Sequence, residues 1–297
     1  MTQLGLGTAQ FGMPYGISNR QGQTTHDELV EILALADNSG IRVLDTAALY
    51  GNSESALGAA LAKKHPFRIV TKTPDFRAWP DPAQGAAELR KTFEHSLSSL
   101  RQPRVYGLLL HNASDLFRPG GDVIWREMEG LRSQGLVEKI GVSVYGGNQI
   151  DQILGAFAPD IVQLPVNVFD QRLVGSGHLA HLKSIGVEVH VRSIFLQGLL
   201  LMVQDQIPRY FDGFQSHVAG YFDLLASAHI GKLEAALSYA LSLQFTDVVL
   251  VGVACVEQLE EILQCVNSRA AQKIDFAQFA NNDPDLVDPS RWQINAG

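Results

Sequence analysis

Two apolar patterns alternate along this chain. Short, nearly unbroken apolar runs are followed by longer stretches in which apolar residues recur every three or four positions. The first pattern marks strands covered on both faces, and the second marks amphipathic helices. Strands are predicted at residues 4–8, 42–44, 69–71, 108–110, 140–142, 161–164, 187–191 and 248–251. Helices are predicted at 25–36, 53–62, 86–100, 123–133, 149–157, 179–184, 232–243 and 256–268. Thr25 precedes the first helix with Glu28 three positions on, the spacing of a capping box. Gly40, Gly135 and Gly186 each separate a helix from a strand, where a left-handed residue closes the turn.

Eight strand–helix units without a Pro/Gly/Ser linker predict an α/β fold, a single (β/α)8 TIM barrel occupying residues 1–297. The competing architecture is a doubly wound open sheet. Its glycine fingerprint is only half present, because Gly5-x-Gly7-x-x-Gln10 lacks the third glycine and almost no chain precedes it. The longest insertion between units, residues 193–231, and the C-terminal tail beyond residue 268 are expected to lie as loops over the C-terminal face of the barrel.

Composition narrows the function classes. The chain has 297 residues, is 46% hydrophobic and 18% charged, and carries a net charge of -8, as expected of a globular protein. Its acidity argues against broad nucleic-acid or anionic-membrane binding. Two cysteines, Cys255 and Cys265, make neither a disulfide framework nor a metal-ligand spacing, so no metal is expected. No basic segment followed by an apolar one opens the chain, and residues 194–203 are too short and too polar to span a bilayer. A reduced, cytoplasmic setting is the expectation.

The chemistry gathers at strand ends. Ile41-Arg-Val-Leu runs into Asp45, Arg68-Ile-Val-Thr into Lys72, and Gly107-Leu-Leu-Leu into His111; Tyr50 follows Asp45 by one short loop. In a parallel barrel these ends face one site. A phenol near pKa 10 is a proton donor at neutral pH, and a neighbouring ammonium stabilises its phenolate. Asp45 would hold Lys72, and His111 would orient a substrate oxygen. The set suits protonation of an oxygen anion as hydride adds to a carbonyl. No Gly-x-Ser-x-Gly elbow is present for hydrolysis. Singly, each residue has an ordinary role as a cap, a solvated charge, a core histidine or a packing aromatic. Together, at three consecutive strand ends, they outweigh it.

These residues resemble the aldo-keto reductases: Asp45-Thr-Ala-Ala-Leu-Tyr50-Gly51, Thr71-Lys72-Thr73 and Leu110-His111 are similar to that family's Asp/Tyr/Lys/His tetrad in order and spacing. The resemblance runs from Leu4 to about Ser268. It implies NAD(P)H-dependent reduction of aldehydes, ketones or sugars, with Tyr50 as proton donor and NADP(H) as the usual cofactor. It further implies that Ser143 and Gln163 hold the carboxamide, although Val144 replaces the family's usual Asn. Arg192 stands where an aromatic commonly stacks on the nicotinamide, and residues 193–199, with Ser193, Leu196 and Gly198, would wrap the pyrophosphate. Asp45 falls beside the nicotinamide ribose, Thr8 is a further cofactor-binding residue, and Gly252, Gln258 and Glu261 lie in the segment that clamps the adenosine.

No basic residue lies within 252–261, where a 2′-phosphate is usually anchored, and Glu257, Glu260 and Glu261 would repel one. Use of NAD(H) is therefore expected beside NADP(H). Phe11, Tyr15, Phe76, Trp79 and Trp292, with Phe117 and Trp125, are the predicted aromatic wall of the substrate pocket, with packing of the barrel as the alternative role for any of them. Two alternatives stand: a cofactor-holding regulatory or redox-sensing member of this fold, and a Schiff-base aldolase-type barrel using Lys72. A small-molecule carbonyl compound is the expected partner, and the sequence carries no partner motif.

Overall fold

The computed structural model describes residues 2–79, 81–268 and 270–294. Eight parallel strands close into a barrel in sequence order: β1 (Gln3–Gly7), β2 (Val43–Asp45), β3 (Arg68–Lys72), β4 (Val105–Leu110), β5 (Val137–Ser143), β6 (Ile161–Pro165), β7 (Glu188–Arg192) and β8 (Val248–Gly252). β8 pairs back onto β1 through Gln3↔Val248 to Gly7↔Gly252. All eight predicted strands are present, each within three residues of its predicted ends. Helices pack outside. Leu6, Leu29, Ile32, Leu44, Leu57 and Leu89 belong to the continuous strand–helix core. Val43, Val70, Tyr106, Leu109, Ile161, Val248 and Leu250 form a second cluster drawn from strands alone, which is the filled barrel interior.

Local signals set the boundaries. Gly40, Gly135 and Gly186 adopt φ of 79°, 74° and 80°, as the helix-to-strand turns require. The Thr25 hydroxyl accepts from Glu28 N at 3.4 Å, but the Glu28 carboxylate does not complete the capping box. It reaches instead to the Val256 N–H, capping the helix Val256–Cys265 from across the barrel rim. The prolines after β3 are not all loop. Pro80 lies outside the described residues, whereas Pro82 opens the helix Pro82–Leu100 behind the Asp81 cap, four residues before the predicted start.

The insertion between β7 and the helix Lys232–Ser242, expected as loop, instead contains the helix Gln215–Ser227. Val218, Tyr221, Phe222 and Leu225 of that helix are buried. The tail crosses the C-terminal face. Gln171 Nε2 donates to Phe276 O at 2.6 Å, Asn281 N to Phe169 O at 2.8 Å, and Tyr210 Oη to Asp285 O at 3.0 Å. The tail therefore straps the loops after β6 and β7, in agreement with its predicted position.

The opposite end of the barrel holds a polar cluster that the sequence did not announce. Glu188, the first residue of β7, accepts from Tyr106 Oη at 2.6 Å and from Lys139 Nζ, and bonds His190 Nε2 at 2.7 Å. Burial opposes the charge, yet these three partners hold the Glu188 carboxyl well below the usual carboxylate range.

Candidate active site

Three neighbouring strands deliver the titratable groups. Asp45 ends β2, Lys72 ends β3, and His111 follows the last residue of β4. The neighbouring strands hold these ends in place through the pairs Gly7↔Asp45 and Lys72↔Leu109. A hydroxyl network fixes the β2 end further: Ser53 Oγ donates to Thr8 O at 2.8 Å, and Thr46 Oγ1 to Ser53 Oγ at 3.1 Å. Tyr50 is carried on the following turn, where its backbone N–H donates to Ala47 O at 3.0 Å. Gly12 lies so close that a Cβ there would sit 1.8 Å from Tyr50 O.

The geometry links all four. Lys72 Nζ donates to Asp45 Oδ2 at 2.6 Å, to Thr46 O at 2.9 Å and to Tyr50 Oη at 3.4 Å. These use the three protons of the ammonium. Lys72 is 2% and Asp45 4% exposed, so the pair is shielded from water. Gln163 Nε2 donates to Asp45 Oδ1 at 2.7 Å. A carboxylate only accepts, so this bond fixes the amide's orientation and turns Oε1 the other way. That Gln163 oxygen is buried and has no partner. The His111 ring meets Tyr50 edge-on at 5.8 Å between centroids, and its Nδ1 is likewise buried without a partner.

Electrostatics set the protonation states. Burial first, then the Asp45 carboxylate, pushes the Tyr50 phenol above its ordinary value, while Arg192 pulls against them. Tyr50 therefore holds its proton at neutral pH. Burial, aided by the Lys72 and Arg192 cations, pushes His111 down to about 4. The imidazole is thus neutral and keeps one N–H to donate. Burial also lowers Lys72 below the ordinary lysine value, and Asp45 opposes that shift.

These groups floor a cavity of about 730 Å³. Of the residues predicted to hold a cofactor, Thr8, Asp45, Ser143, Gln163, Arg192, Ser193, Gly198, Gly252, Gln258 and Glu261 line it. Leu196 does not. It is fully buried in the core and serves the loop's conformation instead, with φ of 48° opening a run of positive φ through Gln197 and Gly198, with Ser193 also at positive φ just before it. This tight turn sends Gln197 O to accept from Ile17 N at 3.0 Å, and Arg20 donates to Gln206 Oε1 at 2.7 Å. The loops after β1 and β7 thereby meet over the cavity. Two cations that sequence reasoning missed also line it, Arg20 and Lys232, although segment 252–261 is as free of basic residues as its sequence says. They lie far from that segment in sequence, so a local motif search passes over them.

The predicted aromatic wall is largely not a wall. Tyr15 does line the cavity. Phe11 and Phe76 are buried in the core, Trp79 packs edge-on to Phe76 at 6.4 Å, and Trp292 packs on Phe211 at 4.9 Å. Trp125 is buried on the helix Gly121–Ser133, and Phe117 is exposed at the surface. Large apolar rings on mouth loops gain more by packing those loops together than by facing solvent. The hollow beside His111 is instead a polar groove, lined by Asn112, Gln149, Arg172, His178, Asp288 and the missed Tyr145 among others. His111 and Tyr145 face both hollows.

A closed parallel barrel whose C-terminal mouth joins a long cavity to a tyrosine–lysine–aspartate–histidine constellation is the architecture of a (β/α)8 enzyme. The model of the Aldo/keto reductase family matches residues 3–281, and the chain belongs to that family. It is 28% identical over 184 residues to glyoxal reductase of Bacillus subtilis, covering 59% of this chain and 61% of that protein. It is also 28% identical over 157 residues to an uncharacterised oxidoreductase of Schizosaccharomyces pombe, 50% of this chain and 52% of that one. The chain thus spans about half to three-fifths of the length of these curated relatives. Among solved structures it resembles the holo form of aldo-keto reductase AKR11C1 from Bacillus halodurans, with TM-score 0.72 and 21% identity, covering 94% of this chain and 92% of that one. The glycerol dehydrogenase AKR11B4 from Gluconobacter oxydans gives a TM-score of 0.67 at 22% identity, covering 89% and 86%. Among the described residues, no helix is long and apolar enough to cross a membrane.

Proposed function

We propose that this chain reduces the carbonyl group of a small, polar aldehyde or ketone, sugars included, to an alcohol. The observation that carries the reading is the Tyr50 phenol, held protonated, 3.4 Å from Lys72 Nζ and beside a neutral His111, where the two hollows meet. A reduced nicotinamide bound in the cavity would supply the hydride. The orphaned Gln163 Oε1 and the buried Ser143 on the cavity wall fit its carboxamide, which brings both donors and an acceptor. The neutral His111 donates its N–H to the substrate carbonyl oxygen and aims it at Tyr50. Tyr50 gives its proton to that oxygen as negative charge builds there. Lys72 stabilises the phenolate left behind, and Asp45 keeps Lys72 charged and in place. The alcohol then leaves through the polar groove.

The cofactor is NADP(H) or NAD(H). The acidic stretch 252–261 speaks against a strong demand for the 2′-phosphate, while Arg20 and Lys232 leave cations on the cavity wall. The Schiff-base reading is disfavoured, since all three Lys72 protons already have acceptors. Borohydride with a carbonyl compound should leave Lys72 unmodified. The deciding experiment follows the reduced-nicotinamide absorbance with both cofactors against aldehydes, hydroxy-ketones and sugars. Tyr50→Phe should lower turnover at least a thousandfold, about 4 kcal/mol, while retaining cofactor affinity. Turnover within tenfold of the parent protein would overturn the proton-donor role. A hundredfold preference for NADPH in dissociation constants would overturn the relaxed cofactor choice.

A further inference from the structure

The wall that carries Ser143 and Gln163 also carries a cation without a counter-ion. Arg192 ends β7 and is half-buried. Its guanidinium donates to Val144 O at 3.2 Å and to Ser193 Oγ at 3.3 Å, and it lies 4.4 Å from the centroid of the Tyr145 ring. All three partners are uncharged, and among the described residues no ion pair joins Arg192 to a carboxylate. Lys72, by contrast, is balanced by Asp45. Arg192 is therefore an uncompensated positive charge close to the reacting groups, set apart from Arg20 and Lys232, which line the same cavity. Its field reaches the reacting groups, since it pulls down both the Tyr50 phenol and the His111 imidazole.

Its position is specific. The Val144 carbonyl that it grips follows Ser143 directly, and the Val144 N–H donates to Gln163 O at 2.9 Å. The guanidinium thus stands beside the polar cradle to which the nicotinamide carboxamide is assigned above, and the present step rests on that assignment. We propose that Arg192 makes the site selective for the redox state of the cofactor, holding the reduced form more tightly than the oxidised form. The reduced nicotinamide ring is uncharged and the oxidised ring carries a positive charge; the rest of the dinucleotide is the same in both. A fixed cation in a partly desolvated cavity penalises the second one. The Tyr145 ring and the two oxygen acceptors keep the guanidinium from turning away to solvent. Once hydride has left, the cofactor product is repelled, which speeds its release.

The test is a pair of titrations, NADPH and NADP+, on the intact protein and on Arg192→Gln and Arg192→Lys, read by calorimetry without substrate; the NADH and NAD+ pair serves equally. The intact protein should show at least a tenfold ratio between the dissociation constants of the oxidised and reduced forms. Arg192→Gln should lower that ratio about tenfold, equivalent to about 1.4 kcal/mol or about 30 mV in the two-electron potential of the bound cofactor. Arg192→Lys, which keeps the charge, should retain it. A residue that only holds its loop would weaken both forms alike, so a ratio unchanged in Arg192→Gln overturns the proposal. If both forms bind the intact protein equally, redox selection fails while the cradle stands. If neither form binds, the cradle fails and the selection with it.

Discussion

Replacing Lys72 with Met tests the electrostatic frame of the site apart from its chemistry. Methionine has nearly the length of the lysine stem and fills the same apolar channel, so little cavity is created. What is lost is the partner of a carboxylate that is 4% exposed. Asp45 is left with one bond, from Gln163 Nε2 at 2.7 Å. Breaking a buried pair on one side costs about 3–5 kcal/mol, and at this burial solvent screening offsets little of it. Urea unfolding of the cofactor-free protein at pH 7 reads the loss, with an unchanged m-value showing that the folded and unfolded states are comparable. The double variant Asp45→Asn/Lys72→Met removes both charges and should regain at least half of the loss, although both variants stay catalytically impaired. A loss below about 1 kcal/mol, or a double variant no more stable than Lys72→Met, would refute the buried-pair reasoning.

Three further outcomes follow from the structure. With Tyr50 raised above its ordinary value and His111 lowered to about 4, neither group titrates between pH 5 and 9; kcat/KM for reduction should be flat across that range, and a descending limb near pH 7 would contradict both assignments. Glu188→Gln should destabilise the barrel by about 2–4 kcal/mol at pH 7 and leave turnover unchanged, because Glu188 lies at the far end of the barrel. Since its folded value is depressed, its contribution is present above the unfolded value of about 4.3 and fades as pH falls, so the variant should show a smaller stability loss on acidification than the parent. Gly12→Ala places a Cβ 1.8 Å from Tyr50 O and must move the turn that carries the phenol; turnover should fall at least tenfold in a protein whose circular dichroism is unchanged.

The barrel was legible because its strands are buried on both faces. Unbroken apolar runs such as Val248–Gly252 leave one physical solution, and the eight of them dictate closure. Helix starts and loop contents were less legible. Pro82 belongs to a helix because a proline at the first helical position needs no N–H partner, a role that sequence alone does not separate from a loop proline. The helix Gln215–Ser227 escaped notice because its buried positions, Val218, Tyr221, Phe222 and Leu225, sit among small and polar residues. Glu28 has the right spacing for its own capping box, yet it serves the Val256 helix, since tertiary proximity offered it an N–H that local order does not reveal.

The same division runs through the site and explains its one large misreading. Asp45, Lys72 and His111 come from strand ends, whose positions are set by register, and a residue one step past an apolar run has only the mouth to face. Loop residues carry no such constraint. Phe11, Phe76, Trp79 and Trp292 were assigned to the substrate because they are aromatic and lie after strands, but loops that cover a mouth need a core of their own, and the rings supply it. Once those rings are withdrawn into packing, the groove beside His111 is left to Asn112, Gln149, Arg172, His178 and Asp288. Its charges are mostly balanced in place, Arg172 by Asp170 and Arg77 by Asp75. A groove of amides and paired charges offers many hydrogen bonds and little net field, which suits a hydroxyl-rich neutral carbonyl compound better than an apolar or strongly ionic one. Cations without a paired carboxylate sit instead in the other hollow, at Arg20, Arg192 and Lys232. Under the proposed function the chamber would divide its labour by polarity: hydrogen bonding would select the substrate on one side, and charge would discriminate the cofactor's redox state on the other.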